Sequence, residues 1–258
     1  MAALFDMKLR ALRRDRAARV GPELFLLERT FDDCLERIEI QQRRFANALL
    51  IGCPDPAWPE RMLAFADRVE GRDPGPLFSS AIGGETITED FWVPQEATYD
   101  LVLAIGTLDT VNDLPLALRL LGHAMTDDAL LIGALPGGDT LPQLRGAMRA
   151  ADRVGGTAAP HVHPRIEASA VAPLLVEAGF IKPVVDVDRV PVSYTSIERL
   201  VGDLRAMGAT NVLASRPHFL GKAARNAAKA AFQAAGDGER TVEAFEILHL
   251  AAWTSKKR

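Results

Sequence analysis

The chain has 258 residues, of which 48% are hydrophobic and 25% are charged. This composition suits one large α/β domain with extra elements and is not that of a disordered chain. A formal net charge of -4 argues against a dedicated nucleic-acid binder, although the start of the chain is basic. Cys34 and Cys53 form no metal-ligand pattern, and no apolar run approaches about 18 residues. We therefore expect a cytoplasmic protein without a metal site and without stable membrane insertion.

The first 40 residues predict two helices. Apolar residues recur at helical intervals on both sides of Gly21 and Pro22, and proline is common near the start of a helix. Basic residues cluster in the first helix, at Lys8, Arg10, Arg13, Arg14 and Arg16. We interpret this cluster as a solvated face, and the more specific hypothesis is a surface for an acidic partner or a phosphate.

The centre of the chain predicts a βαβ unit. Residues 101–105 and 129–135 are short apolar runs bounded by Gly, Asp and Pro, which is typical of strands covered on both faces. Between them, leucines recur at helical spacing behind Asn112 and Asp113, which can cap a helix. A second helix follows the second strand, with Asp139 or Thr140 as its predicted cap. The candidate functional loops are those after the two strands, because ligands bind beyond the carboxyl ends of parallel strands.

An earlier strand is predicted at residues 47–52, followed by the turn GCPDPA. Pro54 and Pro56 lack the N–H groups with which such a turn holds a nucleotide-type ligand. We predict a helix over residues 59–69 and a second strand at Pro76–Ala81. At its end Ser80 takes the place of the acid that would accept hydrogen bonds from ribose.

The last third of the chain predicts a helix at residues 167–178 and strands at 181–194 and 244–253. The two strands suggest an antiparallel hairpin that closes the sheet, with a helical insertion at about 195–240. His161 and His163 alternate on an extended segment and would make a poor metal pair. We divide the chain into a helical lead-in, 1–45, and a larger domain, 46–258. The oligomeric state is not indicated.

Several motifs in this order carry a resemblance: NALLIG, YDLVLAIGTLDTVNDLP, ALPGGDTLPQLR, DLRAMGATN and FEILHLAAW. Together they resemble the class I S-adenosylmethionine-dependent methyltransferases. Within that superfamily the chain is similar to the complex I assembly factor 5 branch. The resemblance implies a Rossmann-like α/β fold: a mostly parallel seven-stranded sheet with an antiparallel C-terminal strand.

The same resemblance implies S-adenosylmethionine as cofactor and a protein partner such as a respiratory complex I subunit. The implied activity is methyl transfer or, as in the mitochondrial branch, protein-arginine hydroxylation. With Ser80 included, the candidate cofactor-binding residues are Gly52, Asp55, Ser80, Glu89, Asp90, Ile105 and Gly106. Asp109 is the candidate general base, because methyl transfer to a protic acceptor needs a proton acceptor near the reacting atoms.

The chain also departs from this family. The first turn is CPDPA instead of glycine-rich, the ribose-binding acid after the second strand is missing, and Asp109 and Thr110 stand where the family commonly has His and Trp. These departures support an alternative hypothesis: a non-catalytic assembly or interaction protein that has lost the cofactor.

Overall fold

The computed structural model describes residues 3–156, 158–215 and 220–255. Within these ranges, seven strands form one sheet in the order β3-β2-β1-β4-β5-β7-β6. The strands are Phe45–Ile51 (β1), Ala66–Asp73 (β2), Glu85–Thr86 (β3), Tyr99–Ile105 (β4), Met125–Pro136 (β5), Phe180–Tyr194 (β6) and Thr241–Thr254 (β7). Neighbours from β3 to β5 are parallel, whereas β7 is antiparallel to both β5 and β6. The predicted fold class is confirmed.

Helices precede the sheet and connect its strands. They are Met7–Val20 (α1), Phe25–Glu39 (α2), Trp58–Met62 (α3), Pro76–Ala81 (α4), Leu114–Ala124 (α5), Pro142–Gly155 (α6), Ala168–Glu177 (α7), Ile197–Ala206 (α8) and Lys222–Ala234 (α9). One face of the sheet packs against α5 and α7, and the other against α2 and α3. A third apolar cluster joins α6, α8 and α9 to the first half of β7.

The central unit forms as its sequence predicts. Residues 101–105 of β4 and 129–135 of β5 are almost completely buried, and the two strands pair in parallel, with Leu103 opposite Ile132. Helix α5 begins behind Asp113, whose side chain accepts a hydrogen bond from the N–H of Leu116. The next helix differs from expectation, because neither Asp139 nor Thr140 caps α6. Its N-cap is Leu141 with a φ of 62°, a left-handed conformation.

The second strand lies earlier than predicted. Residues 66–73 form β2 beside β1, so the expected helix over residues 59–69 stops at Met62. The segment predicted as that strand is instead α4, which begins with Pro76 at its first position. The register brings Asp73, and not Ser80, to the carboxyl end of the strand. The prediction that no acid ends the second strand is therefore wrong.

Candidate functional site

The carboxyl ends of β1, β2 and β4 meet at one edge of the sheet, where open α/β sheets bind their ligands. Gly52 follows β1 with a φ of 82°. A Cβ atom at this position would lie 2.1 Å from the backbone oxygen of Ile105. Glycine is thus required here by the close approach of β4, with or without a ligand. Gly106 follows β4 with a φ of 60°.

Asp73 is completely buried at this edge and accepts four hydrogen bonds. Arg14 donates from Nε to Oδ1 at 2.6 Å and from Nη2 to Oδ2. The backbone N–H groups of Gly75 and Cys53 donate to the same two oxygens at 2.7 and 2.9 Å. Since a carboxylate offers about four acceptor positions, the hydrogen-bonding capacity of Asp73 is filled.

Glu89 lies in the loop after β3 and is also completely buried. Arg10 binds it in bidentate fashion, with Nη1–Oε2 at 2.7 Å and Nη2–Oε1 at 2.8 Å. The same guanidinium donates to the backbone oxygen of Thr107, just after β4, at 2.7 Å. Arg10 is buried, and Glu89 raises its pKa above the ordinary value against an opposing desolvation effect. The bidentate contact fixes the geometry of the pair.

Both arginines come from α1, which is tightly seated over this edge. A Cβ atom on Gly75 would lie 2.7 Å from Cβ of Arg14, and one on Gly208 would lie 3.4 Å from its Cα. Asp15 accepts a hydrogen bond from the N–H of Leu77 in α4 at 2.9 Å. The prediction of a solvated basic face is thus wrong for Arg10 and Arg14, whereas Lys8 is exposed.

The other candidate cofactor residues have local roles. Asp90 accepts hydrogen bonds from the N–H groups of Asn112 and Asp113, both at 2.9 Å, which joins the loops after β3 and β4. Asp55 accepts one from the N–H of Ala57 at 2.8 Å, within the first turn. Ser80 is exposed on α4. The structure thus gathers Gly52, Glu89 and the start of the loop after β4, and leaves Ser80 outside.

A cavity of about 970 Å³, which includes its open mouth, adjoins this edge. It lies over the ends of β4, β5 and β7, and its walls are mostly apolar. Leu26 and Leu27 come from α2, Leu204 from α8 and Phe245 from β7. Arg10 and Arg14 also line the cavity, so the two guanidinium groups separate it from the buried carboxylates.

Polar groups occupy one side of the cavity. Asp109, the candidate base, is ion-paired with Arg165, and both side chains are more than nine-tenths buried. Nε of Arg165 is buried and has no hydrogen-bond partner within the described ranges. His163 accepts a hydrogen bond from the N–H of Val212 at 2.8 Å. Burial, with a smaller contribution from Arg165, lowers the pKa of His163 to about 4, so its ring is neutral at pH 7.

One group of side chains elsewhere has the composition of a metal site. Asp33, Asp188 and His249 place ligand atoms within 4.8 Å of one another on the α2 face of the sheet. His249 is buried and its Nε2 lies 3.6 Å from Asp33. Arg29 already donates to Asp188 at 3.0 Å, and Arg37 lies near the ring. Arg29 thus competes with a metal ion for Asp188. The strand register places His249 opposite Ala134, near the end of β5.

Sequence reasoning missed the three residues that dominate this edge: Arg10, Arg14 and Asp73. Two signals were available. The arginines are four residues apart and share one helix face, and Asp73 lies about 20 residues after Gly52, the spacing of a ribose-binding acid in dinucleotide folds.

Comparisons with known proteins agree with this architecture. No family model matches the chain. Arginine-hydroxylase NDUFAF5 of Danio rerio is 36% identical over 169 residues, which are 64% of this chain and 52% of the relative. The Mus musculus protein is 29% identical over 272 residues, covering 97% of this chain and 77% of the relative. Malonyl-[acyl-carrier protein] O-methyltransferase of Xylella fastidiosa is 31% identical over 160 residues, covering 61% and 52%.

Solved structures show the same fold. YcgJ of Bacillus subtilis has a TM-score of 0.58 at 9% identity, and covers 87% of this chain and 98% of its own. The N-methyltransferase NodS of Bradyrhizobium japonicum, in complex with S-adenosyl-L-homocysteine, has a TM-score of 0.51 at 14% identity and covers 95% and 98%. The strand order and the edge described above define the class I methyltransferase fold.

The chain has the class I methyltransferase fold, and its sequence is similar to arginine-hydroxylase NDUFAF5 and to malonyl-[acyl-carrier protein] O-methyltransferase. The matched region spans about half of the Danio rerio relative and about three quarters of the Mus musculus one. Across the described ranges, no helix has both the length and the apolar character that crossing a membrane requires.

The residues present do not fit S-adenosylmethionine in this conformation. The acid at the end of β2 stands at the ribose position, but Arg14 and two backbone N–H groups fill its acceptor sites. Glu89 is held in the same way by Arg10. Pro54 and Pro56 reduce the number of donors in the first turn. The carboxylates of Asp73 and Glu89 lie where the cofactor would need them. Hydrogen-bond donors of the chain itself already occupy both groups.

Proposed function

We propose that this protein is an enzyme of the class I methyltransferase family that uses S-adenosylmethionine. We propose further that it modifies a protein partner, such as a respiratory complex I subunit. The observation that carries the proposal is the buried carboxylate of Asp73 at the end of β2, beside Gly52. An isolated ionised carboxylate is costly to bury. A chain with no use for an acid at this strand end could replace the whole Arg14–Asp73 pair with apolar residues at little cost.

The cavity beside α1 is the proposed place for the acceptor group of the partner. Its leucine-rich walls suit the apolar part of an extended side chain. The ion pair of Asp109 and Arg165 provides the polar end. Arg165 orients the carboxylate and keeps it from rotating away, so that Asp109 can accept a hydrogen bond or a proton from a group in the cavity. Leu204 and Phe245 add apolar surface to the same cavity, and polar contacts are stronger in such a low-dielectric setting than in water.

A calorimetric titration with S-adenosylmethionine and S-adenosylhomocysteine tests the proposal. We expect these ligands to bind to the wild type or to variants in which α1 no longer holds the carboxylates. The substitution Asp73→Asn should abolish that binding. A mass-spectrometric assay with a candidate partner then tests Asp109. Asp109→Asn should abolish modification and leave cofactor affinity nearly unchanged. Asp67→Asn, an exposed acid paired with Arg44, is the matched control.

A second candidate function has a specific observation in its favour. Because arginines already occupy Asp73 and Glu89, the domain is complete without a cofactor, as a non-catalytic interaction protein would be. Absence of binding at millimolar ligand, in wild type and arginine variants alike, would contradict the enzyme proposal and support this candidate.

A further inference from the structure

The strongest unexplained feature of the molecule is the filling of its cofactor edge by its own N-terminal helix. We infer that α1 is an internal ligand of the cofactor site: Arg10 and Arg14 hold the carboxylates of Glu89 and Asp73, and a nucleoside-containing cofactor binds only after both guanidinium groups withdraw. The inference rests on the proposed function and adds to it how access to that site is controlled.

Arg14 and a ribose hydroxyl would compete for the same carboxylate oxygens of Asp73. A ribose hydroxyl can bind a carboxylate only through a free acceptor position. All four positions of Asp73 are taken, two of them by Arg14. The backbone donors of Gly75 and Cys53 belong to the strand ends themselves, so Arg14 is the only one of these partners that can leave without unfolding the edge. Ribose and Arg14 are therefore alternatives.

The contact of Arg10 with Glu89 and that of Arg14 with Asp73 both come from one rigid element, the helix α1. Arg10 and Arg14 are one helical turn apart, so their side chains project from the same face of α1. Arg10 also contacts the backbone of Thr107, after β4, at 2.7 Å. The arginines together thus cover the ends of β2 and β4 and the loop after β3. A cofactor lying along this edge would meet both, and a shift of α1 would release both.

The attachments at the two ends of α1 are compatible with its movement. Its C-terminal end meets Gly21, where a Cβ atom would find open space and the φ of 89° turns the chain toward α2. At the N-terminal end, the N–H of Phe5 donates to Asn112 at 2.8 Å, and the N–H of Asp6 donates to Val212 at 2.8 Å. Asn112 belongs to the loop after β4. The N-terminal attachment of α1 is thus shared between the segment at Val212 and a loop that a bound cofactor would touch.

The test compares S-adenosylhomocysteine binding by calorimetry in the wild type, in the double variant Arg10→Gln/Arg14→Gln, and in Lys8→Gln. Lys8→Gln is the control, because it removes a positive charge from the exposed face of the same helix without touching either carboxylate. If the closed state holds more than about nine tenths of the molecules, the double variant should bind at least about ten-fold more tightly than the wild type. Lys8→Gln should bind like the wild type.

Hydrogen exchange on the unmodified protein gives a second measurement that does not depend on how the variants fold. Saturating S-adenosylhomocysteine should speed exchange of amides in α1 and leave those of α5 unchanged. Equal affinities in all three proteins, or slower exchange throughout α1, would overturn the inference and leave the proposed function standing. Absence of binding in every protein at millimolar ligand would overturn both.

Discussion

The ion pair of Arg10 and Glu89 allows a quantitative test of how α1 is held. Both side chains are nearly inaccessible, with 5% and 0% of their surface exposed. Glu89→Leu would leave the guanidinium buried with one remaining partner, the backbone oxygen of Thr107. Removal of one member of a buried pair costs about 3–5 kcal/mol in unfolding free energy. We expect Glu89→Leu to lie in this range.

The double variant Arg10→Met/Glu89→Leu should behave differently. Replacement of both charges removes the desolvation cost together with the attraction, and apolar substitutes for buried pairs are often neutral. We expect a change within about 1–2 kcal/mol of the wild type. The sum of the single effects should therefore exceed the double effect by about 2 kcal/mol or more, a coupling typical of contacting groups.

Urea denaturation followed by circular dichroism measures these free energies, provided that the slope with denaturant stays constant. Asp67→Asn is the control, because the Arg44–Asp67 pair is more than half exposed. Such surface pairs contribute about 0–1 kcal/mol. A cost of less than about 1 kcal/mol for Glu89→Leu would contradict a strong buried pair of Arg10 and Glu89. Simple additivity of the effects of Arg10→Met and Glu89→Leu would contradict it too.

Four further predictions concern the scaffold. Gly84→Ala should cost more than about 2 kcal/mol, because its Cβ would lie 2.0 Å from a backbone oxygen of β2. Gly146→Ala, inside α6 with open space around it, should gain roughly 0.5–1 kcal/mol in the same denaturation assay. Burial raises the pKa of Cys34 to about 12, so iodoacetamide at pH 8 should label it only after unfolding, and labelling of the native protein would contradict this. Burial lowers the pKa of His163 to about 4, below the value of about 6.5 in an unfolded chain. The folded state then binds fewer protons within that window, so stability should fall as the pH drops through it. His163→Gln should flatten this dependence, whereas exposed His123→Gln should not.

The sheet centre could be predicted from the sequence because its strands are apolar on both faces, as parallel pairing under two helix layers requires. The strand β2 could not be recognised in the same way. Its sequence ADRVEGRD is polar, and only Ala66, Gly71 and Asp73 are buried. Met62, Ala66 and Val69 have the spacing of a helix face, so local periodicity favoured the wrong element. Pairing with β1 decided the outcome, and that is a long-range effect.

The candidate site shows a similar limit. Motif order predicts Gly52, Glu89 and the loop after β4 as candidates, whereas the basic pattern of α1 predicts a solvated face. Charged helical positions are exposed in most proteins. The exception arises here because two carboxylates from other parts of the chain lie opposite the helix. A single sequence does not report such pairing across 59 and 79 residues.

The two N-terminal helices are held by different forces, which has a consequence for access to the site. Helix α2 is fixed by apolar contact: Phe31, Cys34 and Ile38 are completely buried against the sheet. Helix α1 buries Arg10, Arg14, Asp15 and Ala17 instead. Ion pairs that are costly to desolvate give orientation more than net stability, and a charged or hydroxyl-rich ligand can replace them. Opening of the site should therefore move α1 and leave the wall that α2 forms in place.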